Sequence, residues 1–307
     1  MRAVVLGGCG FIGSHVVDAL RADGHAVTVL DRAMERYREP LPGVEYVLGD
    51  FSDKMLLARV LDGKDTVFHL VSTTFPGTAN LDPKADVTGN LIGTLTLVET
   101  MASLGIERLV FLSSGGTVYG PAPGHPVPEN YPLNPINSYG IVKATIERYL
   151  EMYRANHGLK PIAVRAANPF GPRQGNTGVQ GVIATFMRRL RDGQPVEIWG
   201  DGQVVRDYLH VADLAAFCVR AAGSELCGAV NAGSGRGRSL LDIVALLSEV
   251  TGREIEPVFR PGRGIDVPYS VLDIRRATER LDWRPDTDFR DGLRETWEWV
   301  MRTHPGA

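Results

Sequence analysis

The stretch Val4-Val5-Leu6-Gly7-Gly8-Cys9-Gly10-Phe11-Ile12-Gly13 constrains this chain more than any other. Its short β-branched run predicts a strand, and the apolar pattern over 11–22 predicts a helix. Gly7, Gly10 and Gly13 lie at the junction, where glycine permits a tight turn and close backbone approach. A strand that turns directly into a helix is half of a βαβ unit, and such a strand needs cover on both faces.

The first half of the chain supplies that cover. Further strands are predicted at 26–30, 45–48, 66–70, 108–113 and 161–165, with helices at 54–61, 90–104 and 138–156 between them. This alternation predicts an α/β fold, a Rossmann-type doubly wound parallel sheet. The second half is less regular. Helices near 181–191, 211–222, 240–251 and 291–301 are separated by Gly- and Pro-rich loops at 168–178, 200–203 and 233–238. Those loops are too polar for a core and are placed to carry binding groups. We therefore expect a cofactor-binding domain over 1–167, with 208–226 returning to it, and a smaller C-terminal α/β substrate domain over 168–307.

At 307 residues the chain can bury a substantial core. Its net charge of −3 gives no reason to expect nucleic acid or an anionic membrane as partner. No apolar run approaches the roughly 20 residues of a membrane span. Met1-Arg2 leads straight into the first strand, which reads as a chain without a signal peptide. Cys9, Cys218 and Cys227 lack metal-ligand spacing, and no group of His, Cys, Asp and Glu suggests a metal. Free thiols in a reducing cytoplasm are expected.

A glycine-rich turn that opens a helix offers free N–H groups and a positive dipole end to a pyrophosphate. Asp31 ends the second predicted strand, where a carboxylate accepts from both ribose hydroxyls and repels a 2′-phosphate. That favours NAD over NADP, although Arg32 beside it could meet a 2′-phosphate instead. Asp50, after the third strand, is placed to meet the adenine. Phe11 and Ile12 in the turn, and Phe51, Leu70 and Ser113 at or beyond strand ends, are expected to line the same site. His69 reads as a buried histidine satisfied by backbone. Downstream, Tyr139 and Lys143 stand four residues apart, on one face of a helix. Behind a dinucleotide site, such a pair reads as the catalytic group that works with the cofactor.

These residues together resemble the extended short-chain dehydrogenase/reductase family, and within it the nucleotide-sugar 4-epimerases of the UDP-glucose type. The resemblance covers nearly the whole chain. It includes Asn90-Leu91-Ile92-Gly93-Thr94 and Ser113-Ser114-Gly115-Gly116-Thr117-Val118-Tyr119-Gly120. It continues through 165–173 and 200–208, and ends with Arg263-Gly264-Ile265-Asp266 and Leu281-Asp282-Trp283. It implies that Asn90 lines the cofactor site and that Asn168 holds the nucleotide diphosphate. Arg206 and Arg263 would neutralise the diphosphate, and Asp266 would contact the ribose. Tyr139 would take the proton from the sugar 4-hydroxyl, its phenolate favoured by Lys143 and by the positive nicotinamide. The hydride on C4 would go to NAD and return on the other face, so NAD would stay bound. A homodimer joined by the helices at 90–104 and 138–156 is implied as well.

Three departures bear on the chemistry. The family usually has a serine at the position of Gly115, so Ser114 or Thr117 would have to supply the hydroxyl beside the tyrosine, failing which Thr73 or Thr74 would take over. The nucleotide-sugar 4,6-dehydratases carry an Asp-Glu pair at this place, and Gly115-Gly116 has neither acid, which disfavours elimination of water. Ser270, four residues after Asp266, stands where a bulky aromatic restricts the family's pocket to plain hexoses. A small residue there leans towards N-acetylhexosamines, and a shift of one residue, to Tyr269, reverses that. The stretch 72–82 also departs from the common pattern, having threonine in place of a usual lysine, which leaves a uronic acid or deoxysugar open. The competing readings are a net oxidoreductase or decarboxylase on a nucleotide sugar, and a non-catalytic cofactor sensor.

Overall fold

The computed structural model describes residues 1–122, 124–175, 181–262 and 267–303. Six strands come from the first half: β1 (Arg2–Leu6), β2 (Ala26–Asp31), β3 (Val44–Leu48), β4 (Thr66–His69), β5 (Arg108–Ser114) and β6 (Lys160–Ala166). Then follow β7 (Asn168–Phe170), β8 (Glu197–Trp199), β9 (Val205–His210) and β10 (Gly228–Ala232). The main sheet has seven strands in the order β10-β6-β5-β4-β1-β2-β3, and every pairing is parallel. β10 had no counterpart in the sequence reading, because Gly-Ala-Val-Asn-Ala has a single β-branched residue.

Both faces of the sheet are dry, as parallel pairing requires. Along β1, Ala3 and Val5 face one apolar core, and Val4 and Leu6 face another. The first core lies under α1 (Phe11–Ala22) and also takes in α7 (Val211–Ala222), which packs against α1. The second lies under α2 (Lys54–Leu61), α4 (Gly93–Ser103) and α5 (Ser138–His157). Between α2 and α4 the chain forms the single turn α3 (Pro83–Asp86) and then a π-helical turn, Val87–Ile92. The helix expected over 90–104 is thus α-helical only from Gly93.

The remaining helices are α6 (Val182–Arg191), α7 (Val211–Ala222), α8 (Leu240–Thr251), α9 (Arg275–Leu281) and α10 (Phe289–Arg302). A third core, with Phe170, Phe186, Met187, Ile243, Leu247 and Leu293, joins α6, α8 and α10. The short strands β11 (Gly237–Ser239), β12 (Val258–Arg260) and β13 (Tyr269–Ser270) complete this part, with β9 pairing to β7, β11 and β13.

The strand order reverses direction between β1 and β4. In open parallel sheets the crevice at the carboxyl ends of such strands is where ligands bind. Gly7 follows β1 directly and Leu70 follows β4, whose next amide, Leu70 N–H, donates to the Leu6 carbonyl at 3.1 Å.

Candidate active site

Gly7 has φ +83°, a left-handed conformation that glycine adopts without strain. Gly13 is under a stricter limit, because a Cβ there would stand 2.0 Å from the Gly7 carbonyl oxygen. The first turn of α1 therefore lies directly on the loop, and its N-terminal amides point out of it. Asp31 reaches into the same loop. Its carboxylate accepts from the backbone N–H of Cys9 at 3.0 Å and of Arg32 at 2.7 Å. Asp50 is exposed and accepts from Ser52 N–H at 2.9 Å, which holds its carboxyl below the usual range, with help from the Arg32 charge. Glycine cradle, helix start and acid at the end of β2 together fit a dinucleotide.

The cysteines are thiols, and Cys9, in the loop, is pushed up to about 12 by burial and by the charges of Asp31 and Glu35. It is no nucleophile. The Phe51 ring is buried under Gly93 and beside His69, so only the backbone of Phe51 can serve a ligand. Ser113 is buried too, and its hydroxyl donates to Glu147. His69 is buried as expected, but its partner is the Thr94 hydroxyl at 2.9 Å and not backbone. The β4 backbone is committed to its neighbours in the sheet, and α4 brings Thr94 to the ring instead.

Asn137 starts α5, its side chain accepting from Gly140 N–H at 2.8 Å. That puts Tyr139 in the first turn and Lys143 one turn on. Lys143 is buried and donates to the Leu112 carbonyl at 2.8 Å, and Nζ lies 5.5 Å from the centroid of the Tyr139 ring. Burial brings the ammonium down to about 8, against the opposing charges of Asp86 and Glu147. The Tyr139 phenol is pushed up to about 12 by burial, eased by its bond to Ser72 and raised further by the charge of Asp86. Among the protein's own groups, burial thus outweighs the expected help from Lys143.

Asp86 was not found in the sequence, although its partners Thr74 and Asn90 were named there for other roles. The carboxylate is fully buried. It accepts from Thr74 Oγ1 at 2.7 Å, Asn90 Nδ2 at 2.8 Å and Ser138 Oγ at 2.6 Å. Asn90 Oδ1 in turn accepts from Thr73 N–H at 2.9 Å. The available signal was the spacing of Asp86 and Asn90, four apart on one helix face, with Ser138 next to the tyrosine.

At Gly115 a Cβ would meet the tip of the Leu272 side chain at 2.6 Å and the Arg165 carbonyl at 3.0 Å, so a serine there would require Leu272 to move. Ser114 is half-buried at the end of β5. Thr117 Oγ1 is buried and has no hydrogen-bond partner among the described residues. Its backbone lies against Gly140, whose Cβ would come within 2.7 Å of the Thr117 carbonyl oxygen.

The expected substrate residues gather on the small sheet. Asn168 Nδ2 donates to the Asp207 carbonyl at 2.9 Å, and Arg206 Nη1 donates to the carbonyls of Val205 and Val267 at 2.9 and 2.7 Å. Ser270 is the register partner of Arg206, and Tyr269 that of Val205. Side chains alternate along a strand, so Ser270 shares the face of Arg206 and Tyr269 does not. Arg263 and Asp266 lie outside the described residues. A cavity of about 760 Å³ elsewhere, lined among others by Tyr208, Arg238 and Phe289, takes in none of these groups.

Comparison with known proteins agrees with this geometry. Residues 3–233 match the model of the NAD dependent epimerase/dehydratase family. The chain is 37% identical to the UDP-glucose 4-epimerase of Mycolicibacterium smegmatis, over 97% of this chain and 98% of that protein. It superposes on the UDP-glucose 4-epimerase of Thermotoga maritima, solved with UDP-glucose, at a TM-score of 0.93, with 36% identity over 97% of this chain and 98% of that one. For the UDP-glucose 4-epimerase of Thermus thermophilus, solved with NAD, the TM-score is 0.92 with 35% identity over 99% and 100%. With one fold, one glycine cradle and one Tyr–Lys pair along its whole length, the chain belongs to the NAD dependent epimerase/dehydratase family.

Proposed function

We infer that the protein catalyses NAD-dependent 4-epimerisation of a UDP-hexose or UDP-N-acetylhexosamine through a transient 4-keto sugar. The observation that carries this is Tyr139 beside Lys143 at the crevice that the glycine cradle opens. Gly7, Gly10, Phe11, Ile12 and Gly13 would hold the pyrophosphate and Asp31 the adenosine ribose. NAD, when bound, supplies the hydride acceptor and donor for C4. Tyr139 takes the 4-hydroxyl proton and gives it back, and Lys143 keeps a positive charge at its side.

Thr117 is the better candidate than Ser114 for the hydroxyl that bonds the sugar. A buried hydroxyl without a partner costs about 1–3 kcal/mol, and a substrate oxygen would relieve that cost. Asn168 and Arg206, with Arg263 and Asp266, are assigned to the UDP moiety. Ser270 on the Arg206 face supports room for an N-acetyl group. We assign 1–167 with 208–226 to the cofactor and 168–307 mainly to the nucleotide sugar.

We also infer a cytoplasmic homodimer. Ile92, Leu104, Ile141, Tyr149 and Met152, on or beside α4 and α5, are exposed apolar groups that a second copy would cover. Sedimentation at micromolar concentration should give a dimer, and a monomer alone refutes it.

The deciding experiment incubates the purified protein, without added cofactor, with UDP-Glc, UDP-GlcNAc and UDP-GlcA separately, and reads products by proton NMR. The 4-epimer of UDP-Glc or UDP-GlcNAc is expected. No epimer from any of the three, with bound NAD seen by absorbance, moves the assignment to another nucleotide sugar or to a net redox or decarboxylation reaction.

A further inference from the structure

The π-helical turn Val87–Ile92 interrupts an otherwise α-helical path, and such turns are rare and gather at functional sites. Here the interruption follows Asp86 and carries Asn90, so both side chains reach the same buried spot, where they bond at 2.8 Å. Gly89, in the same turn, is packed so closely that a Cβ would lie 2.6 Å from Thr73 Oγ1. Three separate segments meet at the Asp86 carboxylate: the loop after β4 through Thr74, the π-helical turn through Asn90, and the start of α5 through Ser138. Tyr139 is bracketed by this cluster. Its neighbour Ser138 is bonded to Asp86, and Ser72, whose hydroxyl eases ionisation of the phenol, donates to the Thr74 carbonyl at 2.9 Å.

Three donors can be satisfied by a neutral side chain as well as by a carboxylate, and burying an anion costs several kcal/mol more. A charge kept in such a place acts on its neighbours. We propose that Asp86 is a positioning residue of the active site, one that fixes the three segments around Tyr139 and holds a buried carboxylate on the hydroxyl of its neighbour Ser138. The inference rests on the assignment of Tyr139 as the proton-transferring group. The ionisable groups facing Tyr139 are few. Lys143 lies on α5, Asp86 at the end of α3, and His69 on β4 is buried and neutral, brought down to about 3 by burial and by Lys143. The loop after β4 contributes the Ser72 hydroxyl and no charge, and the loop after β5 contributes Thr117. Removing the Asp86 charge takes an anion away from both groups, so the phenol should become more acidic while the Lys143 ammonium loses its proton more readily.

Asp86→Asn tests this. The amide oxygen can accept from Thr74 and Asn90, and the amide nitrogen can donate to Ser138 Oγ, so the packing survives while the charge goes. The acidic limb of kcat/KM should move to lower pH by about one unit, a tenfold gain in rate at its foot, with bound NAD unchanged. An independent reading is an ultraviolet phenolate titration of Tyr139, taken as the difference between the parent protein and Tyr139→Phe. It should show the same downward shift in Asp86→Asn, and it needs no turnover, so it stands even if the reaction assigned above is wrong. If Asp86→Asn does not fold, Ser138→Ala removes one bond and keeps the charge; it should lower kcat and leave the pH limb in place. An unmoved phenolate titration in Asp86→Asn, or an upward shift, overturns the proposal. So does a Ser138→Ala variant that matches the parent in kcat.

Discussion

Lys143 stands beside Tyr139 with its ammonium 5.5 Å from the ring centroid, tethered to the Leu112 carbonyl of β5 at 2.8 Å. The helix gives the spacing and the sheet gives the anchor, so the charge is held where a phenolate would form. Tyr139→Phe removes the phenol and keeps the ring. Epimerisation should fall by about 10²–10⁴-fold, the usual worth of a positioned acid–base group. Absorbance of bound NAD and the melting temperature should stay close to the parent. A sensor protein of the same fold would bind its ligand alike in both forms and show no turnover to lose.

The choice between Ser114 and Thr117 is open to a paired measurement. Thr117→Val keeps the shape and removes a hydroxyl that has no partner among the described residues. It should leave stability level or slightly raised, because no bond is lost and an unsatisfied group is gone. Its kcat should fall by about tenfold or more, the worth of one hydrogen bond of ~1.5 kcal/mol. Ser114→Ala should change kcat less than twofold. The reverse ranking would assign the hydroxyl to Ser114.

Much of this was legible in the chain because it depends on local rules. The glycine turn, Asp31 and the Tyr139–Lys143 spacing are each set by a few consecutive residues, and the sheet follows from alternating strands and helices. What was not legible depends on contacts between distant segments. Asp86 gains meaning only when Thr74 and Ser138 arrive, 12 and 52 residues away. Glu147, inside the helix predicted over 138–156, is buried against Arg165 at 2.6 Å, and Arg165 also bonds Tyr119 at 2.9 Å. Gly115 looked like the loss of a catalytic serine, and the side chain that crowds the position, Leu272, lies more than 150 residues on. The π-helical turn leaves no mark in apolar periodicity, since Leu91, Leu95 and Val98 still read as one face.

The cradle can be probed without chemistry. A methyl group at Gly13 would sit 2.0 Å from the Gly7 carbonyl oxygen, with backbone and not a flexible side chain in the way. Gly13→Ala must therefore move α1 or the turn, at a cost at the upper end of the ~1–3 kcal/mol typical of overpacking. The purified variant should carry little NAD and melt several degrees lower. Gly24→Ala is the control: its φ of +74° is strained for alanine, but nothing lies within 4 Å of the new Cβ. It should lose stability and keep its NAD. Equal NAD content in both variants would remove Gly13 from the cofactor site.

His69 gives a prediction for acid. The ring is buried among Phe51, Phe111 and Thr94, and burial brings it from the ordinary value to about 3. The unfolded chain binds a proton at this residue near pH 6.5 and the folded protein does not until about 3. Between those values the unfolded state holds the extra proton, so stability rises with pH there and is lost as pH falls from 6.5 towards 3. His15, brought to about 4 by burial and by Arg173, acts in the same direction over a narrower window. The His69 contribution alone is on the order of several kcal/mol at pH 3 relative to pH 7. His69→Phe keeps an aromatic ring in an aromatic site, and Thr94 Oγ1 still donates to the Asn90 carbonyl at 2.6 Å. Urea midpoints at pH 7, 5 and 4 should therefore spread less in the variant than in the parent, with the remainder due to groups such as His15. If the two proteins show the same spread, the acid sensitivity belongs to other groups and His69 is protonated without penalty.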